Sequence, residues 1–133
     1  MTYSRKAVYT YIRNAIKSAH NNAYVTARRE IVTAQFPAVY ITEINRVRAQ
    51  QYATLANDDE QYISTVETEI FSNKQSGALD EAYSVLETIE DAFKRLGYLE
   101  TFCEPIDNYD PTVYRIIARF TRQIGIDDVI PTT

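Results

Sequence analysis

Apolar residues at three- and four-residue steps open the chain. Ala7, Val8, Tyr11, Ile12, Ala15, Ile16 and Ala19 fall on one stripe and predict a helix over 4–19. Thr2 or Ser4 can cap its start, and Asn21-Asn22 ends it, because asparagine tolerates the left-handed geometry of a helix C-terminus. A short strand fits 23–28. The run Phe36 to Ile44 reads as a strand, with Pro37 accommodated near its start or at a sheet edge. From Asn45 to Asp59 the chain is rich in Gln, Asn, Arg and Asp, and Val47, Tyr52 and Leu55 are too sparse to define a face. The expectation there is a long exposed loop or arm. Loops of that length inside a small domain are uncommon and often functional.

The second half is patterned more sharply. Tyr62 to Phe71 alternates, with Tyr62, Ser64, Val66, Thr68 and Ile70 on one face and Thr65, Glu67 and Glu69 on the other. After the polar turn Ser72 to Gly77, the stripe Leu79, Ala82, Tyr83, Leu86, Ile89, Phe93 and Leu96 predicts a helix over about 77–96, capped by Ser76 and stopped by Gly97. Its acids Asp80 and Glu81 and its bases Lys94 and Arg95 sit where the helix dipole favours them. A short strand follows over 98–104, then a proline-bearing turn over 105–111. A last strand, 112–122, places Tyr114, Ile116, Ala118 and Phe120 inward and Arg115 and Arg119 outward. If the strands at 62–71 and 112–122 pair, Glu67 and Glu69 face those two arginines.

The order is α-β-β-β-α-β-β, an α+β fold in which a largely antiparallel sheet carries two main helices packed on one face. Residues 1–124 form a single domain, and 125–133 reads as a C-terminal extension. At 133 residues the chain is long enough to bury a substantial core. It shows no apolar stretch of membrane-spanning length, and its basic start leads into an amphipathic pattern rather than a signal peptide.

Composition narrows the chemistry. Net charge is −4, the reverse of a dedicated nucleic-acid binder, whose affinity comes from neutralising phosphates. Arg28-Arg29 and Arg46-x-Arg48 lie near aromatics, but the neighbouring Glu30 and Glu43 make them ordinary surface charge. One histidine, His20, and one cysteine, Cys103, leave no zinc site with nitrogen and sulfur ligands and no intramolecular disulfide. His20, at a helix end, is placed to meet that helix's terminal carbonyls. Asp58-Asp59-Glu60 and Asp107-Asn108-Tyr109-Asp110 lack the spacing of a calcium loop, and the three glycines form no phosphate cradle. The expectation is a non-enzyme with no metal and no cofactor. Eleven tyrosines and no tryptophan suit core edges and protein interfaces. The candidate interface residues are Tyr40, Arg46, Arg48, Gln51, Tyr52, Asp58, Asp59 and Ile130, drawn from the strand near 36–44, the 46–59 loop and the tail.

One further reading rests on resemblance. A strand ending Phe71-Ser72-Asn73 is followed by Lys74 and Gly77, a helix, and Leu96-Gly97-Tyr98. The loop Pro105-Ile106-Asp107-Asn108 and the strand Val113-Tyr114-Arg115-Ile116-x-Ala118-Arg119-Phe120 complete the series. This order of motifs over 60–122 resembles the small tail-terminator and head–tail joining proteins of long-tailed bacteriophages. The resemblance implies a structural virion protein of the tail or neck, assembled in the host cytoplasm. It implies a hexameric ring that caps the tail tube, stops its polymerisation and meets a head-side connector, while DNA passes through without specific binding. The partners implied are further copies of the chain, the tail tube protein and the connector or stopper, with no membrane. The 45–59 loop and the 125–133 tail depart from the pattern. Another neck component, such as a head-completion or stopper protein, is the alternative within that class. A small ligand-binding or regulatory α+β module is the alternative outside it, and self-association separates the two.

Overall fold

Seven elements follow in the order the pattern predicts: α1 (Arg5–Ala19), β1 (Tyr24–Thr26), β2 (Ala38–Arg48), β3 (Gln61–Ser72), α2 (Ala78–Arg95), β4 (Leu99–Ile106) and β5 (Tyr114–Gly125). The structure, a computed structural model, describes residues 3–27, 36–48, 61–73, 77–106, 112–125 and 128–130. One five-stranded sheet runs in the order β1-β2-β3-β5-β4. All neighbours are antiparallel except β1 and β2, which run parallel through Tyr24↔Ala38 to Thr26↔Tyr40. The step from β1 to β2 is therefore the one parallel connection between the described neighbours of a sheet expected to be largely antiparallel.

Local chemistry sets the helix ends. Ser4 caps α1, its hydroxyl accepting from the Ala7 N–H at 3.1 Å. At the end of α2 the Tyr98 N–H reaches the Phe93 carbonyl at 2.9 Å and the Gly97 N–H reaches Lys94 at 3.0 Å. That double closure needs a left-handed residue, and Gly97 supplies it with φ 80°. At the other end of α2 the cap is Gly77, at φ 81°, instead of Ser76, which lies outside the described residues. In its first turn the Ser72 hydroxyl donates to the Glu81 carboxylate at 2.6 Å, tying the helix to the end of β3.

Both helices pack on one face of the sheet over a single apolar core. Ile12 and Ile16 of α1 and Val85, Ile89 and Phe93 of α2 meet Val39, Ile70, Ile116 and Phe120 of the strands. Phe93 stacks on Phe120 with ring centres 4.2 Å apart and takes the edge of Tyr98 at 5.1 Å. On the opposite face a smaller apolar group, Ala38, Tyr40 and Phe71, packs with Tyr24, Phe36 and Val113.

Several boundaries differ from the sequence expectation. Asn45 to Arg48, assigned to an exposed loop, continues β2 and pairs with β3 as far as Arg48↔Tyr62. Its side chains are exposed or half-buried, so no apolar face announces the strand. The rest of that expected loop, including Gln51, Tyr52, Asp58 and Asp59, lies outside the described residues. The buried stripe of α2 is rotated: Val85 and Ala92 are inside, whereas Leu79 and Tyr83 are more than a third exposed. Tyr114 is likewise exposed, and Ile124 extends the inward row of β5 instead. In the expected extension, Ile130 is buried in the main core and Asp128 pairs with Arg122 at 3.1 Å, so this part folds back on the domain.

Candidate functional site

Among the described residues, three groups of polar side chains and two apolar surfaces stand out as features that could serve a function. The first group centres on Glu43, whose side chain is only 5% exposed. Between Glu43 and Asn45 the register against β3 shifts, leaving Ile44 as an extra residue opposite no partner. In an unbroken strand, residues three apart point to opposite faces. The bulge brings Glu43 and Arg46 to the same face, where Arg46 Nε donates to Glu43 Oε1 at 2.7 Å. Arg5 of α1 donates to the other carboxylate oxygen, and the Ser64 hydroxyl donates to the first. Arg46 also donates to the Tyr3 carbonyl at 2.8 Å.

The network continues across the end of the core. Ser64 and Tyr98 share a hydrogen bond at 3.0 Å, and burial is the main force pushing the Tyr98 phenol up from its ordinary pKa. The Tyr3 hydroxyl donates to the Leu96 carbonyl, which also accepts from Arg122 at 2.9 Å. The Arg122 guanidinium lies 4.0 Å over the Tyr3 ring. These bonds join residues near both chain ends to the α2–β4 turn. Every member is satisfied by another, which is the signature of a scaffold.

The second group is the charge ladder expected from the alternation of β3 and β5. Glu67 stands opposite Arg119, with carboxylate and Nε 2.8 Å apart, and Arg115 reaches Glu69 at 3.1 Å. Each arginine also lies over an aromatic ring, Arg115 over Phe71 and Arg119 over Phe102. The ladder occupies the sheet face away from the helices.

The third group was not foreseen. Glu90 of α2 and Glu100 and Cys103 of β4 bring their ligating atoms within 4.8 Å of one another. A hydrogen bond to Glu100, then burial, then the charges of Glu100 and Asp91, push the Glu90 carboxyl up from 4.5 to about 7. Burial, then the charges of Glu100, Glu90 and Glu104, push the Cys103 thiol up to about 11. Near neutral pH the Glu90 carboxyl is thus partly protonated, which eases its repulsion with Glu100, and the thiol stays protonated. No local sequence pattern marks this group, because nine residues, the α2–β4 turn among them, separate Glu90 from Glu100.

His20 does not turn back to its own helix through its ring: Nε2 lies 3.1 Å from the Thr88 hydroxyl of α2, while its backbone N–H closes the helix on Ile16. Of the other candidate residues, Tyr40 is buried against Phe71, their ring centres 5.3 Å apart, and Ile130 is in the core. Arg46 is held by Glu43, and Arg48 lies exposed at the end of β2.

The apolar surfaces lie at opposite flanks. Beside α1, a cavity of about 380 Å³ is lined by the apolar Val8, Tyr9, Ile41 and Val66, by the exposed Arg5 and Lys6, and by Glu43, whose carboxylate is already held by Arg5 and Arg46. On α2, Leu79 and Tyr83, one turn apart, stand 39% and 38% exposed.

No protein-family model and no curated protein matches the chain. Among solved structures, it is similar in fold to a chain from the virion of a native gene transfer agent particle. The TM-score is 0.58 at 10% identity, covering 93% of this chain and 99% of that chain.

Proposed function

We propose that this chain is a structural protein of a phage-like particle, and that it acts as a tail terminator. The observation that carries the reading is the whole-length likeness to a virion chain: 93% of one and 99% of the other superpose, so the shared unit is the entire small protein and not a common fragment. The ordered motifs over 60–122 support the finer role, since they are the features that resemble tail terminators. In this reading six copies form a ring that caps the tail tube, ends its growth and presents a surface to the head-side connector. The role needs no turnover and no cofactor. The acidic balance suits a channel wall past which DNA slides, because like charge repels phosphate.

The test is assembly. The purified chain is sized in solution and imaged, then added to growing tubes of a phage tail-tube protein. Rings with a central hole, and tubes that stop at a capped end, are the expected result. A chain that stays monomeric and leaves tube growth unchanged overturns the reading.

A further inference from the structure

The two apolar surfaces carry opposite charges at their margins and lie on opposite flanks of the molecule, so a single copy cannot bring them together. α1 lies over the β1–β2 side of the sheet: the Tyr9 hydroxyl points to the Val25 carbonyl of β1, and Tyr11, on its other flank, meets Arg95 of α2. The cavity opens on the β1 flank, between α1 and β2. α2 faces α1 through Thr88 and Arg95, seven residues apart and so on one side of the helix. Its opposite flank carries Glu90, which meets Glu100 of β4, and Tyr83, seven residues before it, with Leu79 one turn earlier. The ridge therefore lies toward the β4 edge and the cavity toward the β1 edge.

Charge follows the same division. Lys6 and Arg5 are exposed at the cavity rim, and Lys6 makes no ion pair among the described residues. Asp80 and Glu87 flank the ridge, both exposed and both without an ion pair among the described residues. Arg5 keeps most of its side chain in solvent, 71%, although it touches Glu43. The cavity volume lies within the range of pockets that bind ligands, roughly 300–1,000 Å³.

We propose that a second copy of this chain seats its Leu79–Tyr83 ridge in the cavity between α1 and β2, with its Asp80 and Glu87 against Arg5 and Lys6 of the receiving copy. One patch meets a different patch, so the contact is head-to-tail, the type of contact from which closed rings are built. This names the subunit contact of the proposed ring and rests on that reading for its setting. The apolar ridge supplies most of the affinity and the charges set register and direction.

Two experiments on the full chain test it. In sedimentation equilibrium at low salt, Lys6→Glu or Glu87→Lys alone weakens self-association about three- to fivefold, the range of one exposed ion pair. The chain carrying both changes recovers most of the loss, because each copy then presents the reversed pair. In the second experiment a photo-crosslinking benzoylphenylalanine replaces Tyr83, and the irradiated protein is digested and mapped at the highest concentration it tolerates. Intermolecular adducts at residues 5–9 or 41–43 are expected. Losses that add in the double variant, adducts mapping elsewhere, or no intermolecular adduct, overturn the contact. Adducts at the cavity in a chain that never caps tubes would retire the terminator reading and leave the contact standing. Capping by a chain whose adducts fall elsewhere would do the reverse.

Discussion

Glu43 and Arg46 are three residues apart on one strand, yet their side chains meet at 2.7 Å on the same face of the sheet. The bulged Ile44 between them makes that possible by shifting the alternation by one. Because Glu43 also takes Arg5 and Ser64, its carboxylate is the point where α1, β2 and β3 are tied. Glu43→Gln preserves the shape and removes the charge, leaving Arg46 mostly buried with no counterion. The expected cost is about 2–4 kcal/mol in urea unfolding, below the upper range for fully buried pairs. Arg5→Ala, which removes the solvent-exposed arm of the same network, is expected to cost at most ~1 kcal/mol.

Stability should depend on pH through Glu90. Its folded-state pKa, about 7, lies above its ordinary value of 4.5, so folding favours the protonated carboxyl. The contribution is fully present below about pH 4.5 and is lost as pH rises through about 7. Glu90→Gln mimics the protonated form. The expected result is a variant more stable than the parent at pH 8 and little different at pH 4.5, read from urea midpoints across that range.

Cys103 should be a slow thiol. With its pKa pushed to about 11, little thiolate exists at neutral pH, and the thiolate is the species that reacts. Alkylation by iodoacetamide at pH 8 is expected to run well behind that of an unperturbed cysteine peptide. Replacing Glu100 by Gln removes the charge that acts most strongly on the thiol and should speed it, whereas Glu87→Gln, outside the group, should not.

The core prediction concerns Phe93, fully buried between Phe120 and Tyr98. Phe93→Ala removes both ring contacts and leaves a void, at a cost of about 3–5 kcal/mol. That is much of a small domain's total stability of roughly 5–15 kcal/mol, so the variant is expected to be largely unfolded or to melt far below the parent. Tyr83→Ala on the exposed ridge is expected to leave the melting temperature within a few degrees of the parent's.

The sequence carries the fold where two periodicities are strong. The two-residue alternation of β3 and β5 marks the strands and sets Glu67 and Glu69 facing Arg115 and Arg119 if the two strands pair; the structure pairs them, Glu67 with Arg119 and Glu69 with Arg115. The far half of β2 was hidden because Ile44 and Val47, its apolar residues, are about half exposed and the bulge breaks the alternation between them. On α2, Leu79 and Tyr83 match the spacing of a buried stripe, and nothing local distinguishes a residue facing the core from one a third of a turn away. Their exposure is visible only once β3, β5 and α1 are in place. The Glu90–Glu100–Cys103 group was illegible for the same reason, since it forms by the return of β4 beneath α2.

The position of β3 has a consequence for the chain as it leaves the ribosome. One edge of β3 can pair with β2 at once, but its other edge belongs to β5, whose first residue lies 42 positions after Ser72. At translation rates of 5–20 residues per second, that edge waits roughly 2–8 s for its partner. During the wait it offers open backbone beside Val66 and Ile70, the kind of template on which nascent chains aggregate. Glu67 and Glu69 lie along it, and until Arg119 and Arg115 are made their charges repel the same strand of a neighbouring nascent chain. The acids that close the ladder thus also oppose edge-to-edge pairing of β3 before β5 is made.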